Sequence, residues 1–388
     1  MAEEEPLVNL EKEDVAVTEK VFVEEVKETS RIALPMIVVT VSQYLLRVSP
    51  MIMLGHLGEL SLSSASIATS FSNVTGYSVL FEMCSALETL FSVLWIFTDK
   101  LLILMGQDPS IATEAGKYAI WLIPTLFPYA ILQSLVRDVF LTTGDFFRFA
   151  IPSAVMVCLE WWAFELIILL SGLFPNPMLE TSVLSICFTI TTVHYHIPYS
   201  FGAAASTRIS NELGAGRPQA AKIALAAVIV LSATEVVLAS ITLFVVRDVW
   251  GYAFSYENEV VTYVAEITPI LCISIIMDGT QAVLSGVARG SGWQHIGAYV
   301  NLGAYYLVGI PAVVLLGFVL HLKGKGLWSG LVAGTTVQSI SLSLVTGFTN
   351  WEKQAIEARR RIFSEKLAGK NKFIELQDIQ MLKSEMKL

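Results

Sequence analysis

Charge is scarce in this chain. Only 15% of its 388 residues are Asp, Glu, Lys or Arg, against about 25% in an ordinary soluble domain. The net charge of −9 comes mainly from the first thirty residues, which hold Glu3, Glu4, Glu5, Glu11, Glu13 and Asp14. That stretch has no apolar core, so it reads as a cytosolic tail and not as a secretory signal. No basic patch is interleaved with aromatics, which argues against a nucleic-acid partner. Four cysteines occur, Cys84, Cys158, Cys187 and Cys272, none in a CxxC pair. All four fall in apolar runs and read as small core side chains. His194 and His196 are two residues apart, which points them to different faces of a helix and excludes a metal pair. There is no HExxH, no GxSxG and no pair of aspartates at metal spacing, so an embedded enzyme is the weakest reading. The loop Gly214-Ala215-Gly216-Arg217-Pro218 lacks the GK[ST] ending of a nucleotide loop, which excludes an ATPase module within this chain.

What the chain does have is long apolar runs. Hydrophobic residues make up 54% of it, and its mean hydropathy is +0.63. Several runs reach the roughly 20 residues that a helix needs to cross a bilayer. Continuous rather than alternating hydrophobicity excludes a barrel. The chain is therefore expected to be an all-α polytopic membrane protein. Spans are predicted near 32–54, 65–87, 116–137, 149–171, 181–203, 221–246, 260–286, 297–320 and 326–348, with 90–105 as a doubtful tenth. With ten spans and both tails inside, the basic residues favour the inner loops.

The chain also repeats itself. Arg31-Ile-Ala-Leu-Pro35 returns as Arg148-Phe-Ala-Ile-Pro152, 117 residues later. Gly55 meets Gly172 and Gln43 meets Glu160 at the same spacing. Asp99 pairs with Asp248, Pro124 with Pro269 and Gln133 with Asp278. Internal duplication in an apolar chain is the mark of a transporter built from two related bundles around a central site. The copies differ in length. Pro35 and Asp99 are 64 residues apart, their counterparts 96, which leaves the first copy without most of one span. Beyond Gln133 it also lacks room for two more. The expected domains are an acidic tail 1–30, a truncated lobe 31–145, a six-span lobe 146–349 and a cytosolic tail 350–388. About ten spans stand where two complete lobes would hold twelve.

Particular motifs then carry a resemblance. Leu54-Gly55-His56-Leu57-Gly58-Glu59-Leu60 and Ser85-Ala86-Leu87-Glu88-Thr89-Leu90 lie in the first half. Cys158-Leu159-Glu160-Trp161-Trp162, Pro175-Asn176-Pro177 and Glu180 to Cys187 follow in the second. Gly202 to Arg208, Leu284 to Gly290 and residues 297–311 complete the set. In these runs the chain resembles the plant DETOXIFICATION proteins of the multidrug and toxic compound extrusion (MATE) family, over roughly 30–360. The resemblance implies two pseudo-symmetric helical lobes, proton entry as the energy source without a cofactor, and export of organic cations or plant metabolites. It also implies a plasma or vacuolar membrane of a plant cell. The chain departs from the family after Leu90, where a Cys-Gly-Gln-Ala-Tyr-Gly-Ala stretch and a span are missing, and between Phe140 and Phe146, where two spans are missing. Glu82 replaces a usual Gly, and Arg47 and Pro50 replace neutral, non-proline residues.

Intramembrane carboxylates are costly when charged, which makes them candidates to carry protons. Glu160 lies mid-span beside two tryptophans, and Asp278 lies in Ile275-Ile276-Met277-Asp278-Gly279. The resemblance places proton-coupling carboxylates at both. Their counterparts in the repeat, Gln43 and Gln133, are neutral, so proton traffic is expected in the C-terminal lobe. Glu165, about 140° round the helix from Glu160, reads as a capping, pairing or cavity-edge residue. Gly279 is expected to loosen its helix beside the acid. Pro35 and Pro152 read either as hinges or as harmless first-turn prolines. Tyr305 and Tyr306 read either as a lining for aromatic cations or as core. Glu82 and Arg47 are candidates to pair; Glu235 and Glu266 are further charges in or near spans. Asn73-Val74-Thr75 matches a glycosylation sequon inside an apolar span, where it is silent.

Two readings of function stand. One is a proton-coupled antiporter with its cavity between residues 32–140 and 149–348, in a lipid bilayer, its oligomeric state open. The other is a degenerate, non-transporting membrane protein that lost spans through splicing or gene structure.

Overall fold

In the computed structural model, residues 4–73, 95, 97–122 and 144–360 are described, and among them no strand occurs. Side chains 4–19, 47 and 144–157 are not described. The expectations for Cys84, Glu82, Gln133, the Arg47 pair and the Ser85–Leu90 run lie outside the described residues.

The order of helices is α1 (Glu4–Gly55), α2 (Glu59–Ser72), α3 (Thr98–Leu104), α4 (109–122), α5 (Gly144–Ser171), α6 (Pro177–Gly214), α7 (Pro218–Val245), α8 (Asn258–Ser291), α9 (Gln294–Val319), α10 (Lys323–Gly347) and α11 (Trp351–Arg360). Four of them are long and apolar enough to cross a membrane alone: Lys20–Gly55 within α1, α7, α8 and α9. The pair α10 and α11, bent by 82°, passes as a fifth. α6 crosses the core with its Ser, Thr and Glu side chains largely buried against neighbours, so it does not need an apolar surface facing lipid. Its 38 residues rise about 57 Å, more than the ~30 Å hydrocarbon core. α3, the described part of the doubtful span, has seven residues and rises only about 10 Å.

The acidic N-terminal stretch continues without a break into the first apolar run as one 52-residue helix. No glycine interrupts it before Gly55, and Pro35 sits far inside it, which removes the first-turn reading of that proline. Pro152 likewise falls within α5, its side chain outside the described residues.

Prolines and glycines set the boundaries of the long helices. Pro177 and Pro218 open α6 and α7 in the first turn, where a missing N–H costs nothing. Between them Gly216 takes φ +74, so the Gly214–Pro218 loop is a tight connector between two helices. The sequence motifs around Gly202 and Gly286 meet where α6 crosses α8. A Cβ at Gly286 would lie 2.1 Å from the Gly202 carbonyl oxygen, so the two backbones touch. Gly279 acts the same way rather than loosening its helix. A Cβ there would stand 2.3 Å from Val236 Cγ1 of α7, and α8 runs unbroken through it.

The core lies around α6 and α8. Val183, Leu184, Cys187, Val264, Ile267 and Leu271 are buried there with Trp328 of α10. Cys187 and Cys272 are buried and Cys158 half-buried, all as free thiols. α9 departs from regular geometry, with π-helical stretches at Leu302–Gly309 and Leu315–Val319. Pro311 begins the α-helical turn between them; it has no N–H to give to the preceding turn.

Candidate functional site

α5, α6 and α8 each contribute polar side chains to one interior hollow. Glu160, Trp161 and Phe164 of α5 face Phe188, Thr191, Thr192 and Tyr195 of α6, with Asp278 of α8 closing it. The space holds about 20 Å³, enough for about one water. The two predicted carboxylates thus share a cavity. It lies among helices of the C-terminal lobe. Trp161 helps wall it by packing edge-on against Phe188 and Tyr195, at 6.3 and 5.9 Å between ring centres.

Glu160 is 6% exposed. Its Oε1 accepts hydrogen bonds from Gln281 Nε2 at 2.6 Å and Tyr195 Oη at 3.1 Å. Gln281 is itself held in place. Its Oε1 accepts from Gln338 Nε2 at 3.1 Å, and the same nitrogen reaches Asn301 Oδ1 at 2.7 Å. Tyr305 donates to Gln338 Oε1 at 2.7 Å. A chain of neutral amides and a phenol therefore runs from α5 through α8 and α10 to the π-helical part of α9. Asp278 is 5% exposed. Its Oδ2 accepts from Ser274 Oγ at 2.8 Å, and its Oδ1 has no partner. Among the described residues neither acid lies within 4.0 Å of a basic group.

The remaining candidates separate. Glu165 is 2% exposed and accepts from Asn73 Nδ2 at 2.6 Å. It pairs across to the end of α2 and does not line the hollow. Asn73 thereby spends its amide inside the protein. Tyr305 is fully buried one layer behind Phe164, at 6.4 Å between rings, which is the core placement. Tyr306 is half-buried. Gln43 is exposed on α1 and Pro35 is exposed too, so neither touches the hollow. His194 meets Glu235 of α7 at 3.0 Å while His196 stacks on Tyr44 of α1 at 4.8 Å, so the two rings do point apart. Glu266 pairs with Lys325 at 2.6 Å. Sequence reasoning missed Gln281, Gln338, Asn301 and Tyr195. Each is a polar residue inside an apolar run, the one signal that was available.

The fold agrees with known proteins. The MatE family model matches residues 152–315. Protein DETOXIFICATION 9 of Arabidopsis thaliana is 42% identical over 90% of this chain and 94% of its own length. Protein DETOXIFICATION 8 of the same plant is 43% identical over 87% and 91%. The chain belongs to the MATE family. Among solved structures, the eukaryotic MATE transporter AtDTX14 superposes with a TM-score of 0.76 at 41% identity, covering 88% of this chain and all of that one. An outward-facing multidrug resistance MATE transporter shares the fold at a TM-score of 0.57 and 14% identity. Members of the family are multidrug and toxic compound efflux transporters, not enzymes, and they work in a lipid bilayer on small molecules. This chain is an integral membrane protein. The alignment to DETOXIFICATION 9 runs over 453 positions, more than the 388 residues here, so the relative holds segments that this chain lacks.

Proposed function

We propose that the chain is a proton-coupled exporter of small organic cations or plant metabolites, with Glu160 and Asp278 binding and releasing the proton. One arrangement supports this: two buried carboxylates on one hollow, with no basic group of the described residues within 4.0 Å of either. A charged carboxylate in such a place costs several kcal/mol, and a carboxyl oxygen without a partner adds to the cost. A bound proton removes both costs. Space for about one water links the acids. The amides behind Glu160 hold it at the rim without neutralising it. The proton gradient is then the energy source and no cofactor takes part. The membrane is the plasma or vacuolar membrane of a plant cell. Uptake of the fluorescent cation ethidium into liposomes carrying the purified chain, under an imposed pH gradient, tests the reading.

A second reading is favoured by the alignment. A lobe that lacks segments of its relatives leaves a bundle without some of its wall, and the protein then no longer transports. No ethidium movement in either gradient direction would select that reading.

A further inference from the structure

Where α1 lies along α6, the contacts change character from one end to the other. At one end Tyr44 stacks on His196, and Thr40 Oγ1 meets Ser200 Oγ at 3.3 Å. Next comes an apolar stretch in which buried Ala33 shares a cluster with Phe201, Ala204, Ala205 and Ile209, with half-buried Ile32 and Ile37 packed against it. At the end nearest the N-terminus the contact becomes ionic. Arg208 Nε donates to Glu25 Oε1 at 2.7 Å and its Nη2 to Glu25 Oε2 at 2.6 Å. This is a two-pronged fork, the strongest geometry for such a pair. Both side chains are largely shielded, at 12% and 23% exposure. Glu212, one turn on, stands beside the fork, nearest the same Nη2. It lies 3.7 Å from Arg208 and 2.8 Å from Arg217 of the α6–α7 connector. Those two pairs stay within the C-terminal lobe, whereas Glu25–Arg208 joins it to the N-terminal helix.

We infer that the Glu25–Arg208 fork is a latch that holds the α1–α6 seam shut at its N-terminal end, and that it must part for the seam to open there. The apolar cluster beside it is non-directional. The fork is directional and strong, and it adds to the closing free energy at that end. Glu212 stays with Arg208 when Glu25 leaves, so the arginine is not stranded. Glu25 lies at the aqueous end of its helix and regains water. The latch serves the transport reading as its gate, but its opening can be read without any flux.

The test uses the whole chain in nanodiscs with Ser200→Cys as a reporter. Ser200 is fully buried in the seam, so a water-soluble maleimide reaches it only when the seam parts. The chain without that thiol sets the background. Loss of a charge-assisted fork in Glu25→Gln or Arg208→Gln is expected to raise the labelling rate about tenfold. The swap Glu25→Arg with Arg208→Glu is expected to return it towards the parent rate. Unchanged labelling in folded single variants overturns the latch. So does an increase that the swap leaves in place, since that reports fraying of α1 and not loss of the pair. Should the single variants fail to fold, the pair Glu25→Cys and Arg208→Cys is tied by a short bifunctional thiol reagent. Labelling of Ser200→Cys must then fall below the parent rate, and no fall overturns the latch. Ethidium uptake recorded on the same variants separates the two claims. Latch-dependent labelling without flux in any variant keeps the latch and removes the transport reading.

Discussion

Gln281 donates its side-chain amide to Glu160 at 2.6 Å, across 121 residues of chain. It joins α8 to α5 at the rim of the hollow and is itself gripped by Gln338. Gln281→Leu keeps the size of the side chain and removes the donor. It is expected to cost about 1–3 kcal/mol, the penalty of stranding a buried acceptor. Thermal unfolding in detergent measures this, and ethidium flux should fall with it because Glu160 loses its fixed position.

The α6–α8 crossing depends on two glycines. Gly286→Ala would put a methyl group 2.1 Å from the Gly202 carbonyl oxygen. The helices must move apart, at about 1–3 kcal/mol for overpacking. A drop in melting temperature without a change in helix content by circular dichroism is the expected result.

Asn73 holds Glu165 at 2.6 Å. Asn73→Ala leaves that buried acid short of a donor and is expected to destabilise the α2–α5 contact by about 1–3 kcal/mol. Asn73→Asp is expected to be worse, since it sets two carboxyls side by side. Expression in a glycosylating host should leave the mass of the protein at Asn73 unchanged.

Asp108 sits in the connector before α4, and its carboxylate accepts from the Ser110 hydroxyl, the Ser110 N–H at 2.9 Å and the Ile111 N–H at 3.4 Å. The Ser110 hydroxyl bond does most to hold its pKa below the usual aspartate value. A carboxylate with a lowered folded-state pKa stabilises above its unfolded value, near 3.9, and loses that contribution as pH falls through the lower one. Asp108→Ala is expected to cost about 1 kcal/mol at neutral pH, the usual worth of a helix N-cap. The difference from the parent should fade in the acid range; a constant difference down to low pH would contradict the cap.

Much of this molecule was legible in its residues. Helical class and the course of α5 to α10 followed from apolar runs, because a bilayer demands length and hydrophobicity in one segment. Glu160 and Asp278 stood out as acids inside such runs. Two things were hidden. The amides around Glu160 gave no spacing signal, since Gln281, Asn301 and Gln338 come from three helices. The merging of the acidic tail into α1 was missed because charge was read as a boundary, while helix propensity ran straight through Glu and Lys. Gly279 was misread for a related reason: sequence cannot tell a glycine that frees the backbone from one that admits a neighbour such as Val236.

The central claim is that Glu160 and Asp278 carry the coupled proton. Ethidium flux driven by an imposed pH gradient, compared among the parent, Glu160→Gln and Asp278→Asn in liposomes at matched protein content, tests it most directly. The account predicts flux in the parent and none above empty liposomes in either variant, with both variants still folded. Flux in the variants equal to that of the parent would contradict it.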